Sequence, residues 1–167
     1  LFLTTLKELF VTKLNNISQT VAHFGFSLLI LSILFNNILS SEIITNIKIG
    51  ERYNYNKTEI FFEKIEERKR SNFNSIIGYF KITDEKGKSI NLKPELRIYD
   101  QPTMITSEAD IKTNLLEDKF LVMNLVKGGE YFNIRYQVKP FMLLIWISVL
   151  LLSFGGLISI FKKKYEK

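Results

Sequence analysis

The sequence predicts a membrane protein in which two transmembrane α-helices flank a small extracytoplasmic antiparallel β domain, barrel- or sandwich-like. Three observations carry that reading. From Phe141 to Phe161 the run FMLLIWISVLLLSFGGLISIF holds no charge, and its 21 residues, at about 1.5 Å each, reach roughly 31 Å, the thickness of a bilayer core. A second apolar stretch lies between Lys13 and Glu42, where His23 is the only titratable side chain. Between the two, short runs rich in Ile, Phe, Tyr and Val are broken by polar turns, as in an all-β domain.

Taken in order, residues 1–17 form a segment on the cytoplasmic or matrix side. The first span, Ser18–Leu39, is densest over Phe24–Phe35 (FGFSLLILSILF) and frays at Asn15, Asn16, Gln19, Asn36 and Asn37. A cleaved signal peptide has a similarly short apolar core. The stretch Asn36-Asn37-Ile38-Leu39-Ser40-Ser41, however, offers no small-x-small cleavage site, so a retained span is expected. Leu1 is not an initiator methionine. The chain is therefore expected to be a piece of something longer or to start at an unusual codon, and its heavy use of Ile, Asn, Lys and Phe suits an AT-rich genome.

Residues 40–139 read as the β domain. Strands are expected at Ile43–Ile49, Ile60–Ile65, Ile76–Thr83, Ser89–Tyr99, Lys119–Val126 and Glu130–Val138. Asp84-Glu85-Lys86-Gly87-Lys88 and Lys127-Gly128-Gly129 have the composition of hairpin turns. In the last strand Tyr131, Asn133, Arg135 and Gln137 alternate with Phe132, Ile134, Tyr136 and Val138, a period of two. The connection from Asp100 to Asp118 lacks an apolar period until Ile111–Leu116, which reads as one helical turn. The mixed-sign run Glu63–Arg70 (EKIEERKR) reads as a solvated strand end or loop, with a partner-binding patch as the sharper alternative. Asn56-Lys57-Thr58 fits a glycosylation sequon, which carries meaning only in a eukaryotic secretory pathway.

The second span covers residues 140–161 and ends in a basic tail, residues 162–167. Within it the Gly155-Gly156 pair reads as a site of close helix packing, and Trp146 as an interfacial anchor or packing residue. The tail Lys162-Lys163-Lys164-Tyr165-Glu166-Lys167 and the early Lys7 and Lys13 place both termini in the cytoplasm or matrix. The loop, with 17 basic and 15 acidic residues, is nearly balanced and goes to the opposite side. The net charge of +6 thus reads as topology and gives no support for a nucleic-acid partner; the partner it implies is membrane lipid.

With no cysteine and one histidine, disulfides, thiolate metal sites, cysteine nucleophiles, hydrolytic triads and histidine-rich metal centres are excluded. Carboxylate pairs such as Glu66-Glu67 and Asp84-Glu85 are adjacent in sequence and look exposed. No catalytic residue is assigned. His23 remains. An ionisable residue at the start of a membrane helix is a functional candidate, and imidazole is a normal axial ligand of haem iron. The plainer reading, an interfacial histidine hydrogen-bonded to a neighbouring helix, stands beside it. Gly25, two residues on, removes bulk and would admit a flat ring or another helix.

Five segments, in order and spacing, resemble the CcmF family, which is grouped with the NrfE-like nitrite-reductase haem lyase relatives. Ala22-His23-Phe24-Gly25 resembles the family's His-x-Gly helix start, and Leu92-Lys93-Pro94-Glu95-Leu96-Arg97-Ile98-Tyr99 its Pro-Glu-x-Arg-x-Tyr strand. Pro102-Thr103-Met104-Ile105-Thr106-Ser107-Glu108-Ala109-Asp110-Ile111 is similar to its Met-Pro-x-Thr-Glu-Ala-x-Ile loop, with Pro and Met rearranged. Tyr136-Gln137-Val138-Lys139-Pro140-Phe141, Trp146 and Gly155-Gly156 resemble its closing Lys-Pro-Phe, Trp and Gly-Gly pattern. Leu144 stands where the family often has another Trp.

The resemblance implies a multi-span cytochrome c-type biogenesis protein that takes haem from a haem chaperone and presents it to the reduced Cys-x-x-Cys-His motif of apocytochrome c. It implies a membrane haem b with His23 as one axial ligand to the iron. It also implies, as partners, the N-terminal part of the haem lyase, the haem chaperone, apocytochrome c and its thiol-reducing subunit. The location it implies is a bacterial inner membrane or the mitochondrial inner membrane, with the β domain in the periplasm or intermembrane space. The family's Trp-rich haem-handling segment and its other histidines are absent, so this chain alone is not expected to be catalytic. The alternative function is a non-catalytic membrane-anchored β-domain adaptor or assembly factor, with His23 structural.

Overall fold

A computed structural model describes residues 1–11, 16–126 and 128–165, with side chains as far as residue 161. The chain divides into two compact units. One comprises Leu1–Ser40, Asn114–Glu117 and Lys139–Lys167, the other Ser41–Thr113 and Asp118–Val138.

The first unit is helical: α1 (Phe2–Val11), α2 (Ile17–Leu39) and α3 (Met142–Tyr165). α1 was not expected. Ten residues are too few for a helix to persist alone in water, and this one leans on α2, with the Phe2 and Phe24 rings 5.7 Å apart. The burial pattern of α2 and α3 is inverted relative to a water-soluble bundle. Phe26, Ile33, Leu34 and Ile38 of α2 and Trp146, Leu150 and Phe154 of α3 point outward, whereas Ser18, Thr20, Gly25, Ser27, Ser32 and Ser148 are buried. Lipid is as apolar as leucine, so nothing drives large side chains inward, and small residues settle where helices touch. The buried hydroxyls are satisfied by their own helix: Thr20 donates to Asn16 O, Ser32 to Leu28 O and Ser148 to Leu144 O. The apolar windows of α2 and α3 have mean hydropathies of 1.7 and 2.4. These are the two membrane-spanning helices.

The strand-to-helix junction at the head of α3 is built from Pro140 and Phe141. Phe141 takes a left-handed backbone conformation, φ 60°, which costs a side-chain-bearing residue about 1–2 kcal/mol. It is held there by several contacts. Its N–H donates to Leu116 O at 2.7 Å, its ring lies 5.9 Å from that of Phe35, and Asn36 Nδ2 donates to Pro140 O at 2.6 Å.

The second unit is a β-sandwich. Its strands are β1 (Ser41–Ile47), β2 (Arg52–Tyr55), β3 (Thr58–Lys69), β4 (Phe73–Thr83), β5 (Ser89–Leu92), β6 (Glu95–Tyr99), β7 (Met104–Glu108), β8 (Asp110–Thr113), β9 (Glu117–Leu125) and β10 (Phe132–Pro140). One sheet runs β1-β10-β9-β8 and the other β2-β3-β4-β6-β7, with β5 paired to β4. The core lies between them. Ile43, Ile47, Leu121, Met123, Phe132, Ile134 and Tyr136 come from the first sheet; Ile60, Phe62, Phe80, Ile82, Leu92 and Leu96 come from the second. Phe62 stacks on Phe80 at 4.2 Å and meets Phe132 edge-on at 5.3 Å. Gly78 faces this core, where a Cβ would sit 2.6 Å from Phe80 Cε2 and 2.8 Å from Met123 Sδ, so these two side chains pack against its bare backbone.

Several sequence expectations are corrected. The run Ser89–Tyr99 is two strands, broken at Lys93-Pro94, because Pro94 has no N–H to give the ladder. Both pieces still pair with β4 along one edge. No helical turn forms over Ile111–Leu116; Asp110–Thr113 pairs with Asp118–Leu121 instead, and Asn114 N–H closes a tight turn on Glu117 O at 2.9 Å. β2 and β7 were not expected, being short strands with polar residues on both sides. The β2–β3 hairpin turns on Asn56 and Lys57, both at positive φ (42° and 67°), the conformation of a type I′ turn that asparagine tolerates. The Asp84 turn matches expectation. Asp84 Oδ1 accepts from the N–H groups of Lys86 and Lys88 at 2.9 Å, and Gly87 takes φ 73°. In the last hairpin turn Gly128 and Gly129 are both at positive φ, while Lys127 lies outside the described residues.

Candidate functional site

His23 sits in the second turn of α2, exposed. Its position is fixed from two sides. Gly25 packs backbone to backbone on α3, where a Cβ would lie 2.9 Å from Leu152 N and 3.1 Å from Ser148 O. At 100° per residue, His23 is rotated about 200° from Gly25, so the glycine that seats α3 turns the imidazole away from it. Of the two roles open to Gly25, the structure shows the helix contact. On the other side Ser27, buried, donates to His23 O at 3.0 Å and shares a 2.6 Å hydrogen bond with Thr5 of α1. That latch ties α1 to α2 one turn beyond His23.

Two surfaces meet the imidazole. The first is a groove of about 300 Å³ between α1 and α2, lined by Leu1, Thr4, Thr5, Glu8, His23 and Phe26, at the small end of the range for ligand pockets. The second is the outward face of α2. There Phe26, Ile30 and Leu34 follow His23 at i+3, i+7 and i+11, all exposed, making an apolar stripe headed by one nitrogen base. A haem needs an axial donor and apolar surface for its macrocycle; His23 with Phe26 and Ile30 fits that requirement on one side of an iron.

The Pro-Glu-x-Arg-x-Tyr strand and the Thr-Ser-Glu segment come together as β6 and β7. They pair so that Glu95 faces Glu108 and Arg97 faces Thr106. Arg97 reaches Glu95 at 3.1 Å and Glu108 at 3.7 Å and lies over the Phe73 ring at 5.3 Å. Burial pushes the Glu95 carboxyl up, but hydrogen bonds from Arg97 and Ser75 and the Arg97 charge outweigh it and hold the group below the usual carboxylate range. On the other side of the strand Leu96 enters the core and Ser107 hydrogen-bonds Asn124 of β9. These residues staple a sheet edge. The EKIEERKR run continues β3 to Lys69; Glu66 accepts from Arg68 Nε and Tyr79 Oη, both at 2.7 Å.

Sequence reasoning missed the Thr5–Ser27 latch, because α1 went unrecognised and two small hydroxyls in apolar surroundings give no periodic signal. Gly155 and Gly156 separate in role. A Cβ on Gly155 would fall 2.7–2.9 Å from Ala22, whereas Gly156 has open space. Trp146 is 63% exposed and faces outward.

Comparison with known proteins agrees with this architecture. A family model described as the CcmF C-terminal beta-sandwich matches residues 38–140, more than half of the chain. The chain is 25% identical over its whole length to the cytochrome c-type biogenesis protein NrfE of Haemophilus influenzae, covering 27% of that protein. It is 28% identical to CcmF of Pseudomonas fluorescens, over 87% of the chain and 22% of the relative. With ccl1 of Rhodobacter capsulatus the identity is 30%, over 71% of the chain and 18% of the relative. The solved structure of a cytochrome c haem lyase CcmF superposes with a TM-score of 0.67 over 93% of this chain and 27% of that one, at 17% identity, a likeness of fold. The chain spans about a quarter, or less, of the length of these relatives. It belongs to the CcmF family of cytochrome c-type biogenesis proteins, as a counterpart of their C-terminal part.

Proposed function

We propose that this chain is the C-terminal part of a haem lyase that takes part in covalent attachment of haem to apocytochrome c. In this reading His23 gives one axial ligand to a haem b held in the membrane. The observation that carries it is an exposed imidazole heading an apolar stripe on a membrane helix whose chain continues into the family's β-sandwich.

When bound, the haem would supply a one-electron centre able to reduce the iron of an incoming haem. The chain's own residues hold and orient. His23 would donate a nitrogen to iron, and Phe26 and Ile30 would cover the macrocycle. Gly25 and the Thr5–Ser27 latch keep the α2 backbone from rotating, which fixes where the imidazole points. In this reading the second axial ligand and the haem-handling surface come from the rest of the lyase, since this chain covers about a quarter of its relatives, and the haem chaperone, apocytochrome c and its thiol-reducing subunit are partners of the whole.

The basic tail and the balanced loop support termini in the cytoplasm or matrix, with the β-sandwich in the periplasm or intermembrane space of a bacterial or mitochondrial inner membrane. Division at residues 18–39 and 140–161 into spans, with 40–139 as the displayed domain, belongs to the same proposal. Cells lacking the chain should accumulate apocytochrome c without covalent haem, scored by haem staining of denaturing gels. The native chain should restore the stain and His23→Ala should not. Restoration by His23→Ala would favour a membrane-anchored adaptor with a structural histidine.

A further inference from the structure

We infer that the Asn114–Glu117 turn is a second, non-spanning membrane contact, in which Leu115 and Leu116 insert their side chains among lipid acyl chains beside the head of α3. The turn lies within the helical unit. Its two leucines are 79% and 70% exposed. Tight turns in water favour Gly, Asn, Asp, Ser and Pro, whose conformations or side chains suit the bend. Adjacent leucines at its centre do neither, and two large apolar side chains side by side at 70% exposure or more suit an apolar surrounding better than water.

The depth of the turn is set by a hydrogen bond. Phe141, immediately before the first residue of the α3 span, donates its N–H to Leu116 O at 2.7 Å. The same level marks the end of the α2 span, because Asn36 donates to Pro140 O at 2.6 Å and the Phe35 and Phe141 rings are 5.9 Å apart. The turn is therefore tied to the rim where both spans end. At the same rim α2's last turn also exposes apolar side chains, Ile38 and Leu39 at 72% and 55%. Entering a bilayer interface also requires satisfied backbone groups. Asn114 N–H is taken by Glu117 O, and Leu116 O by Phe141. Lipid is the occupant selected by two exposed leucines whose turn is tied through Phe141 to the first residue of an apolar span.

The chain contains no cysteine, so a single cysteine takes a nitroxide label at one place. Leu115→Cys and Leu116→Cys, each on the full chain reconstituted in phosphatidylcholine vesicles, are read by electron paramagnetic resonance. The readout is accessibility to oxygen, which concentrates in acyl chains, against a water-soluble nickel chelate. At both positions oxygen accessibility should exceed that of the chelate. A larger chelate effect at either position would place the turn in water and overturn the inference. Low accessibility to both reagents would place it under protein and overturn it equally.

Discussion

Gly155 and Gly156 are neighbours in α3 with opposite surroundings, and replacing each by alanine isolates the close crossing of the two spans. A Cβ on Gly155 would lie 2.7 Å from Ala22 N, 2.8 Å from Ala22 Cβ and 2.9 Å from Ala22 Cα. Carbon contacts are most favourable near 3.5–4.0 Å, so α2 would have to retreat by roughly 1 Å, and backbone atoms on a packed helix cannot swing aside as a side-chain end can. Overpacking of this kind costs about 1–3 kcal/mol. Alanine also returns about 0.5–1 kcal/mol of helix propensity at either position, a term that cancels in the comparison. Gly156→Ala meets open space and keeps the gain. In mixed micelles titrated with a denaturing detergent, with helicity as the signal, Gly155→Ala should be less stable than Gly156→Ala by about 1–3 kcal/mol. Equal stability, or a less stable Gly156→Ala, would refute the assignment of Gly155 to the helix contact.

The adjacent pair Phe61 and Phe62 should respond oppositely in thermal melts followed by the β signal. Phe62→Ala empties a fully buried site between stacked rings at a cost of about 3–5 kcal/mol, whereas Phe61→Ala removes an outer-face ring under Arg52 at 4.7 Å, about 0.5–1 kcal/mol. Glu95 titrates lower in the folded than in the unfolded chain. Its contribution to stability is therefore present above the ordinary carboxylate pKa and lost as pH falls through the folded value. Calorimetric melts of the native chain should fall on acidification in that window, and Glu95→Gln should flatten part of the slope; an unchanged slope would remove Glu95 from the acid-sensitive set.

The two spans were legible because charge-free length is a one-dimensional property. The β-sandwich was legible where strands bury one face: Phe132, Ile134 and Tyr136 enter the core at alternate positions and print a period of two. β2 and β7 left no such print, since neither carries a fully buried side chain. The turn at Leu115-Leu116 was misread as helix because its apolar residues follow no strand period and answer to Phe141, 25 positions away. At the candidate site His23 stood out by its chemistry alone. What orients it was hidden: the meaning of Gly25 depends on Ser148 and Leu152, and that of Ser27 on Thr5 in a helix the sequence did not announce. The Pro-Glu-x-Arg-x-Tyr pattern shows the converse, a recognisable motif whose Arg97 pairs with Glu95 on its own strand and reaches across to Glu108 of β7.

Whether His23 binds haem iron, as proposed, is read from the optical redox spectrum of the complex purified through this chain, native and His23→Ala. A b-type signal is expected in the native complex and should collapse in the variant while the complex stays assembled. An unchanged spectrum in His23→Ala, or an assembled native complex with no haem, would contradict the proposal.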